Sequence, residues 1–277
     1  MRESTARSRE GSSRVDLSRY ISQFTDPYER KARLWPGLLV VAPVVVALAT
    51  RFGMNHPVLG AAATVVGACG GMYGLASIVR AKGKELEERL VRIWGGMPTT
   101  IALRHRDSFL DGVSKQRYHD LITRKLGLRM PTADEEAADP AKADDAYIGA
   151  TKRLRELTRS DRGLLFKENI SYGFHRNMLA MKRTGIAVCL ISLIYGFAEA
   201  GVIRSQSPYL SPERLGQLDI SSGITLAVSL VFLVIWILHF KPAPVRRIGF
   251  AYAERLFERL PSLKAPPLRR NSEAQTE

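Results

Sequence analysis

Four apolar stretches interrupt an otherwise strongly basic chain, and they fall into two pairs on either side of a polar segment, 80–183. They run over 34–50, 58–79, 184–203 and 220–240, and within them Glu199 is the one formally charged side chain. Each is close to the roughly 20 residues that a helix needs to cross a hydrocarbon layer about 30 Å thick. A backbone in lipid has no water to bond, so it must satisfy its own polar groups, as a helix does. The pattern predicts an all-α integral membrane protein. Its four transmembrane helices form two hairpins, with a mostly helical cytoplasmic domain between spans two and three.

The basic residues orient that layout. Lys plus Arg number 8 in 1–33, 1 in 51–57, 22 in 80–183, 2 in 204–219 and 8 in 241–277. The three segments that share one face of a four-span chain hold 38 of the 41. Basic flanks stay on the cytoplasmic side, which predicts a multi-pass protein of the inner (plasma) membrane with both termini cytoplasmic. Ala47-Leu48-Ala49 resembles a signal-peptide cleavage site. However, the leader before the first apolar stretch is too long for such a peptide and a second stretch follows at once. Cys69 and Cys189 lie in different spans without metal-ligand spacing, and read as small packing residues.

Inside the spans, Gly67/Gly71 and Gly70/Gly74 set two overlapping small-xxx-small spacings, with Gly60 upstream. Small residues at this interval let membrane helices approach closely, either between spans of one chain or in a homo-oligomer around a pore. Pro43 sits mid-span and frees a carbonyl one turn earlier, so a kink is expected there. Glu199 either lines an ion pathway, the default reading of an intramembrane charge, or reaches the outer headgroups near Arg204. Trp35, Tyr209 and Trp236 read as interfacial anchors.

The segment 80–183 carries 22 basic and 15 acidic residues. Leu86, Leu90, Ile93 and Trp94 continue span two as an amphipathic helix, which stops at Gly95-Gly96-Met97-Pro98. Thr99–His105 reads as a short strand or as the start of a helix. Tyr118, Leu121, Ile122 and Leu126 form a second apolar face ending at Gly127, and Thr132 with Glu135 fits a capping box. Asp139-Pro140 opens a further helix with Ala143, Tyr147, Ala150, Leu154 and Leu157 in one stripe. A last helix from about Leu164 runs into span three. Clustered Lys and Arg suit phosphates on nucleotides, oligonucleotides or lipid headgroups. Arg104, His105 and Arg106 follow the Gly-Gly turn and are the leading anion-ligand candidates. Arg124, Lys125, Arg153 and Arg176 join them. The polar and aromatic run 168–177 is either a ligand or subunit face or a buried coupling joint.

Residues 1–26 lack periodicity and read as disordered within a cytoplasmic segment, 1–33. In 241–277, Val245, Ile248, Tyr252, Leu256 and Leu260 share one helix face, which either lies on the membrane or docks on the 80–183 domain. The chain has no GxxxxGK[ST], GxGxxG, GxSxG, HExxH or CxxC pattern, so neither an enzyme nor a cofactor is expected. The halves show no inverted repeat, which argues against a transporter.

Two spans, a basic helical insert and two more spans, with Trp94-Gly95-Gly96-Met97-Pro98-Thr99-Thr100 at the head of the insert, resemble the channel-type membrane effectors of bacterial anti-phage systems, the Hailong type in particular. The resemblance covers residues 34–240 as a layout. It implies a homo-oligomer gated by a nucleotide or oligonucleotide on the insert, and a nucleotidyltransferase as partner. The competing expectation is a membrane adaptor whose insert binds a protein or anionic lipid.

Overall fold

The computed structural model describes residues 26–52 and 71–264, which form helices with no strand beyond a single bridge between Ile203 and Leu210. In chain order the helices are α1 (Glu29–Phe52), α2 (Met72–Trp94), α3 (Pro98–Ile101), α4 (Gly112–Leu126), α5 (Ala133–Ala138), α6 (Pro140–Leu157), α7 (Leu164–Glu199), α8 (Ile220–Leu238) and α9 (Pro242–Phe257). Among the described residues, α1, α7 and α8 are long and apolar enough to cross a membrane. The expected second span lies mostly outside the described residues, and Gly67 and Gly70 with it. The chain divides into two compact units, residues 1–89 with 170–245 and residues 90–169 with 246–277.

The first unit is built from α1, α8 and the parts of α2 and α7 that belong to it. Its core joins Val40, Val79, Met178, Met181, Cys189, Trp236 and Phe240. Trp236, read from sequence as an interfacial anchor, is instead 1% exposed and packs within this core. Pro43 is buried inside α1. Close helix approaches fall at glycines outside the span-two spacing. A Cβ at Gly37 would meet Leu75 at 3.1 Å, and one at Gly185 would meet the Trp236 ring at 2.3 Å. At Gly71 and Gly74 an added Cβ meets nothing within 4 Å among the described residues.

A polar joint also ties α1, α2 and α7 together. Asn177 is fully buried and donates to the Ala32 carbonyl at 2.6 Å. Its Oδ1 accepts from Arg176 Nε at 3.2 Å and Nη2 at 3.1 Å, while Arg176 Nη1 pairs with Glu87 at 2.9 Å. A Cβ at Gly83 would stand 1.9 Å from that Oδ1, so α2 presents glycine where the amide sits. Of the two readings of the run 168–177, Arg176 and Asn177 follow the buried joint.

The second unit follows its local signals closely. Gly95 (φ +76°) and Gly96 (φ +153°) end α2 in a conformation that side chains resist. Thr99–His105 starts as the one-turn helix α3, not a strand. Asp111 caps α4 by accepting from the Ser114 amide, and Gly127 closes it at φ +67°. The Thr132–Glu135 capping box opens α5, and Asp139 with Pro140 opens α6. Ala143, Tyr147, Ala150 and Leu154 line the core as expected, whereas Leu157 at the end of the stripe is 42% exposed. The apolar face of α9 closes this core: Phe250, Ala253, Leu256 and Phe257, with Leu260, pack with Leu103, Ile122, Tyr147 and Leu154. Of the face read from sequence, Leu256 and Leu260 lie in this core and Tyr252 packs against it, whereas Val245 and Ile248 are not part of it.

Candidate functional site

The second unit holds a cleft of about 380 Å³. One wall is the last turn of α2, with Val91 and Arg92; the floor is the Gly95-Gly96-Met97 turn with Thr99 and Thr100. The other wall is α6, where Asp144, Ile148, Thr151 and Arg155 are spaced four, three and four residues apart and so share one face. Arg104 reaches into the cleft from beyond α3, and its Nη2 donates to the Gly95 carbonyl at 2.7 Å. A Cβ at Gly96 would stand 2.8 Å from that Nη2, so the turn carries glycine where the guanidinium lies against it.

A charge network backs the site. Asp144 accepts from Arg104 Nε at 2.8 Å and Nη2 at 2.7 Å, a two-pronged pair, and from Arg106 Nη2 at 3.0 Å. Glu136 is 2% exposed and takes four donors: the Tyr147 hydroxyl at 2.5 Å, the His105 and Arg106 amides at 2.7 and 3.1 Å, and Arg106 Nη1 at 2.8 Å. Burial alone would raise the Glu136 pKa, but the Tyr147 hydroxyl, the two amides and the Arg106 guanidinium outweigh it and bring it down to about 2. The same burial and the bond to Glu136 push the Tyr147 hydroxyl up, so it stays a donor. His105 Nε2 lies 3.0 Å from the Pro131 carbonyl, and its ring sits edge-on to buried His119. Burial lowers the His119 pKa, against the opposing effect of its 2.8 Å bond with the Leu103 carbonyl.

Three cleft groups remain unengaged. Arg92 and Arg155 have no hydrogen bond or ion pair among the described residues. The Thr99 hydroxyl is buried without a partner, a condition that native interiors rarely leave unanswered. With Arg104 and Asp144 counted, the lining carries three cations and one anion. Two unengaged guanidiniums, Arg92 from α2 and Arg155 from α6, with the apolar Val91, Met97 and Ile148 in the same lining, suit an anionic group attached to an apolar body.

The residues singled out from sequence are spread more widely. Arg104 lines the cleft, and His105 and Arg106 brace it from behind. Arg124 donates to the Asp120 carbonyl, Lys125 to the Leu263 carbonyl at 2.8 Å, and Arg153 to Glu156, all away from the cleft lining. Arg176 belongs to the joint of the first unit. Glu199, at the end of α7, pairs with Arg51 at 3.0 Å, whereas nearby Arg204 donates to the Gly201 carbonyl. Sequence reasoning passed over Arg92, Thr99 and Asp144, and set Arg153 ahead of Arg155. The α6 spacing was the available signal, since it places Arg155 and not Arg153 on the face of Asp144 and Thr151. No protein-family model, curated protein or solved structure matches the chain.

Proposed function

We propose that the chain is a channel-type membrane effector, assembled as a homo-oligomer and gated by a phosphate-bearing ligand in the cleft of its second unit. In this reading the chain crosses the inner membrane four times, with both termini and the 80–183 insert in the cytosol. The ligand is a nucleotide or oligonucleotide. The resemblance to anti-phage effectors supplies the defence setting and a nucleotidyltransferase as the ligand's source. The observation that carries the reading is that one cleft is lined by two unengaged guanidiniums, Arg92 and Arg155, together with Arg104 and with Thr99, whose buried hydroxyl has no partner among the described residues. Support for the membrane part comes from the three apolar helices and the placement of the basic residues. A ligand that binds the open and closed states unequally shifts the gate by that difference in affinity.

Binding of fluorescent oligodeoxynucleotides and of ATP to the detergent-extracted full chain tests this. Affinity is expected to fall with salt, with a log–log slope of about −0.7 for each strand phosphate neutralised. Arg92→Ala with Arg155→Ala should weaken binding at least ~10-fold, since each charge-assisted bond is worth about 1.5–3 kcal/mol. Binding that ignores both salt and the double substitution would remove the cleft from the mechanism. Binding without any ligand-dependent ion flux would favour the adaptor.

A further inference from the structure

Within the first unit, the α7 face formed by Gly185, Cys189, Ser192 and Gly196 packs against α8. A Cβ at Gly185 would lie 2.3 Å from the Trp236 ring, and one at Gly196 would lie 2.9 Å from Leu226 and 3.3 Å from Thr225. Facing positions rise along one helix as they fall along the other, so the two run antiparallel. Ser192 lies two turns beyond Gly185, and Ser229 two turns before Trp236, which brings the serines level across the interface.

Both serines are buried, at 2% and 0% exposure. Neither hydroxyl has a hydrogen-bond partner among the described residues, and nor does Trp236 Nε1. Hydroxyls on helices commonly escape this by bonding back to a carbonyl one turn earlier. Thr50 does so, to the Val46 and Ala47 carbonyls. Ser192 and Ser229 do not. Toward the end of α7 the polar line continues through Thr225, whose Oγ1 lies 3.3 Å from Thr50 Oγ1 on α1, and it finishes at the Arg51–Glu199 pair.

We propose that this seam is hydrated, and that its hydroxyl oxygens admit water and small monovalent cations from the Arg51–Glu199 end as far as Trp236. An unpaired hydroxyl against hydrocarbon is costly, and a water between two level serines satisfies both at once. Trp236 closes the seam over Gly185, and its Nε1–H donates to the innermost water. The inference rests on reading the first unit as embedded in a bilayer. It goes further by putting a polar path inside one chain, distinct from any pore formed where the span-two glycines of several chains meet.

Silver ion, a small water-borne monovalent cation that consumes thiols, is the probe. The full chain is reconstituted in lipid vesicles on a Cys69→Ser, Cys189→Ser background, with Ser192→Cys or Ser229→Cys added. Both seam thiols are expected to react at least ~10-fold faster than Ile191→Cys, whose side chain is 62% exposed on another face of α7. Native Cys189, retained with Cys69→Ser alone, gives the same reading with every seam residue intact. Seam thiols that resist silver, or that react no faster than the Ile191→Cys thiol, overturn the proposal. Flux through the unaltered chain reports separately on the channel: silver reaction without flux keeps the seam and removes the channel, and flux without silver reaction does the reverse.

Discussion

Replacing Glu136 with alanine is expected to destabilise the second unit by about 3–5 kcal/mol, the range seen when one partner of a buried ion pair is removed. The change leaves the Tyr147 hydroxyl, two amides and an Arg106 nitrogen without their acceptor at a site that is 2% exposed. Urea titration of the full chain in detergent, read by hydrogen exchange of the α4 and α6 amides, measures the loss. A loss under about 1 kcal/mol, the usual limit for a surface ion pair, would mean that the network does not hold the unit together.

The same carboxylate sets a pH dependence whose sign is fixed. The Glu136 pKa is lowered in the fold to about 2 from an ordinary 4.5. Its contribution is therefore complete above the unfolded value and is lost as pH falls from 4.5 toward 2, a change of about 3 kcal/mol at most. His119 adds to the loss at milder acidity: its pKa is lowered in the fold, so the unfolded chain takes up a proton first as pH drops through 6.5. Glu136→Gln should shrink the lower part of the acid transition, to which the Asp111 and Glu135 caps, also lowered by their hydrogen bonds, still contribute, and leave the part near 6.5.

Asp144→Ala should move the cleft in the opposite direction from the loss of Arg92 and Arg155. Asp144 holds both prongs of Arg104, as a bound phosphate would, and it is the one carboxylate of the lining. Removing it frees a guanidinium that is 12% exposed and still anchored to the Gly95 carbonyl. Affinity for the anionic probe is expected to rise about 10-fold, because the two-pronged donor becomes available to the ligand. Stability is expected to fall by about 1–3 kcal/mol, the penalty for a buried donor left without its partner. Both quantities can be read on one preparation by binding titration and urea midpoint. Unchanged or weaker binding would show that Asp144 does not occupy the anion's place.

What could be read from sequence here was whatever short-range chemistry decides. Gly95-Gly96, Gly127, the Thr132–Glu135 box and Asp139-Pro140 each bound a helix through groups only a few residues apart, and each bounds it in the fold. An apolar face of α9 was visible too, but amphipathicity alone does not distinguish a lipid surface from a protein core; Leu256 and Leu260 found the core, joined there by Phe250, Ala253 and Phe257, which that face did not include. The anion candidates failed to sort for the same reason. Density of Arg along the chain says nothing about which cations meet carboxylates far away in sequence, and Arg106 meets Glu136 and Asp144 thirty or more residues on. Glu199 likewise found Arg51 across the bundle in preference to nearby Arg204. Gly185, facing Trp236, could be picked out only once the α7–α8 register was known.

Ligand-dependent ion flux through the full chain in dye-loaded vesicles decides whether the cleft gates a pore. Addition of the oligonucleotide or nucleotide that binds the cleft should change the flux rate, and Arg92→Ala with Arg155→Ala should leave basal flux intact but insensitive to the same addition. A chain that binds the ligand with its wild-type cleft yet shows one flux rate with and without it is not a ligand-gated channel.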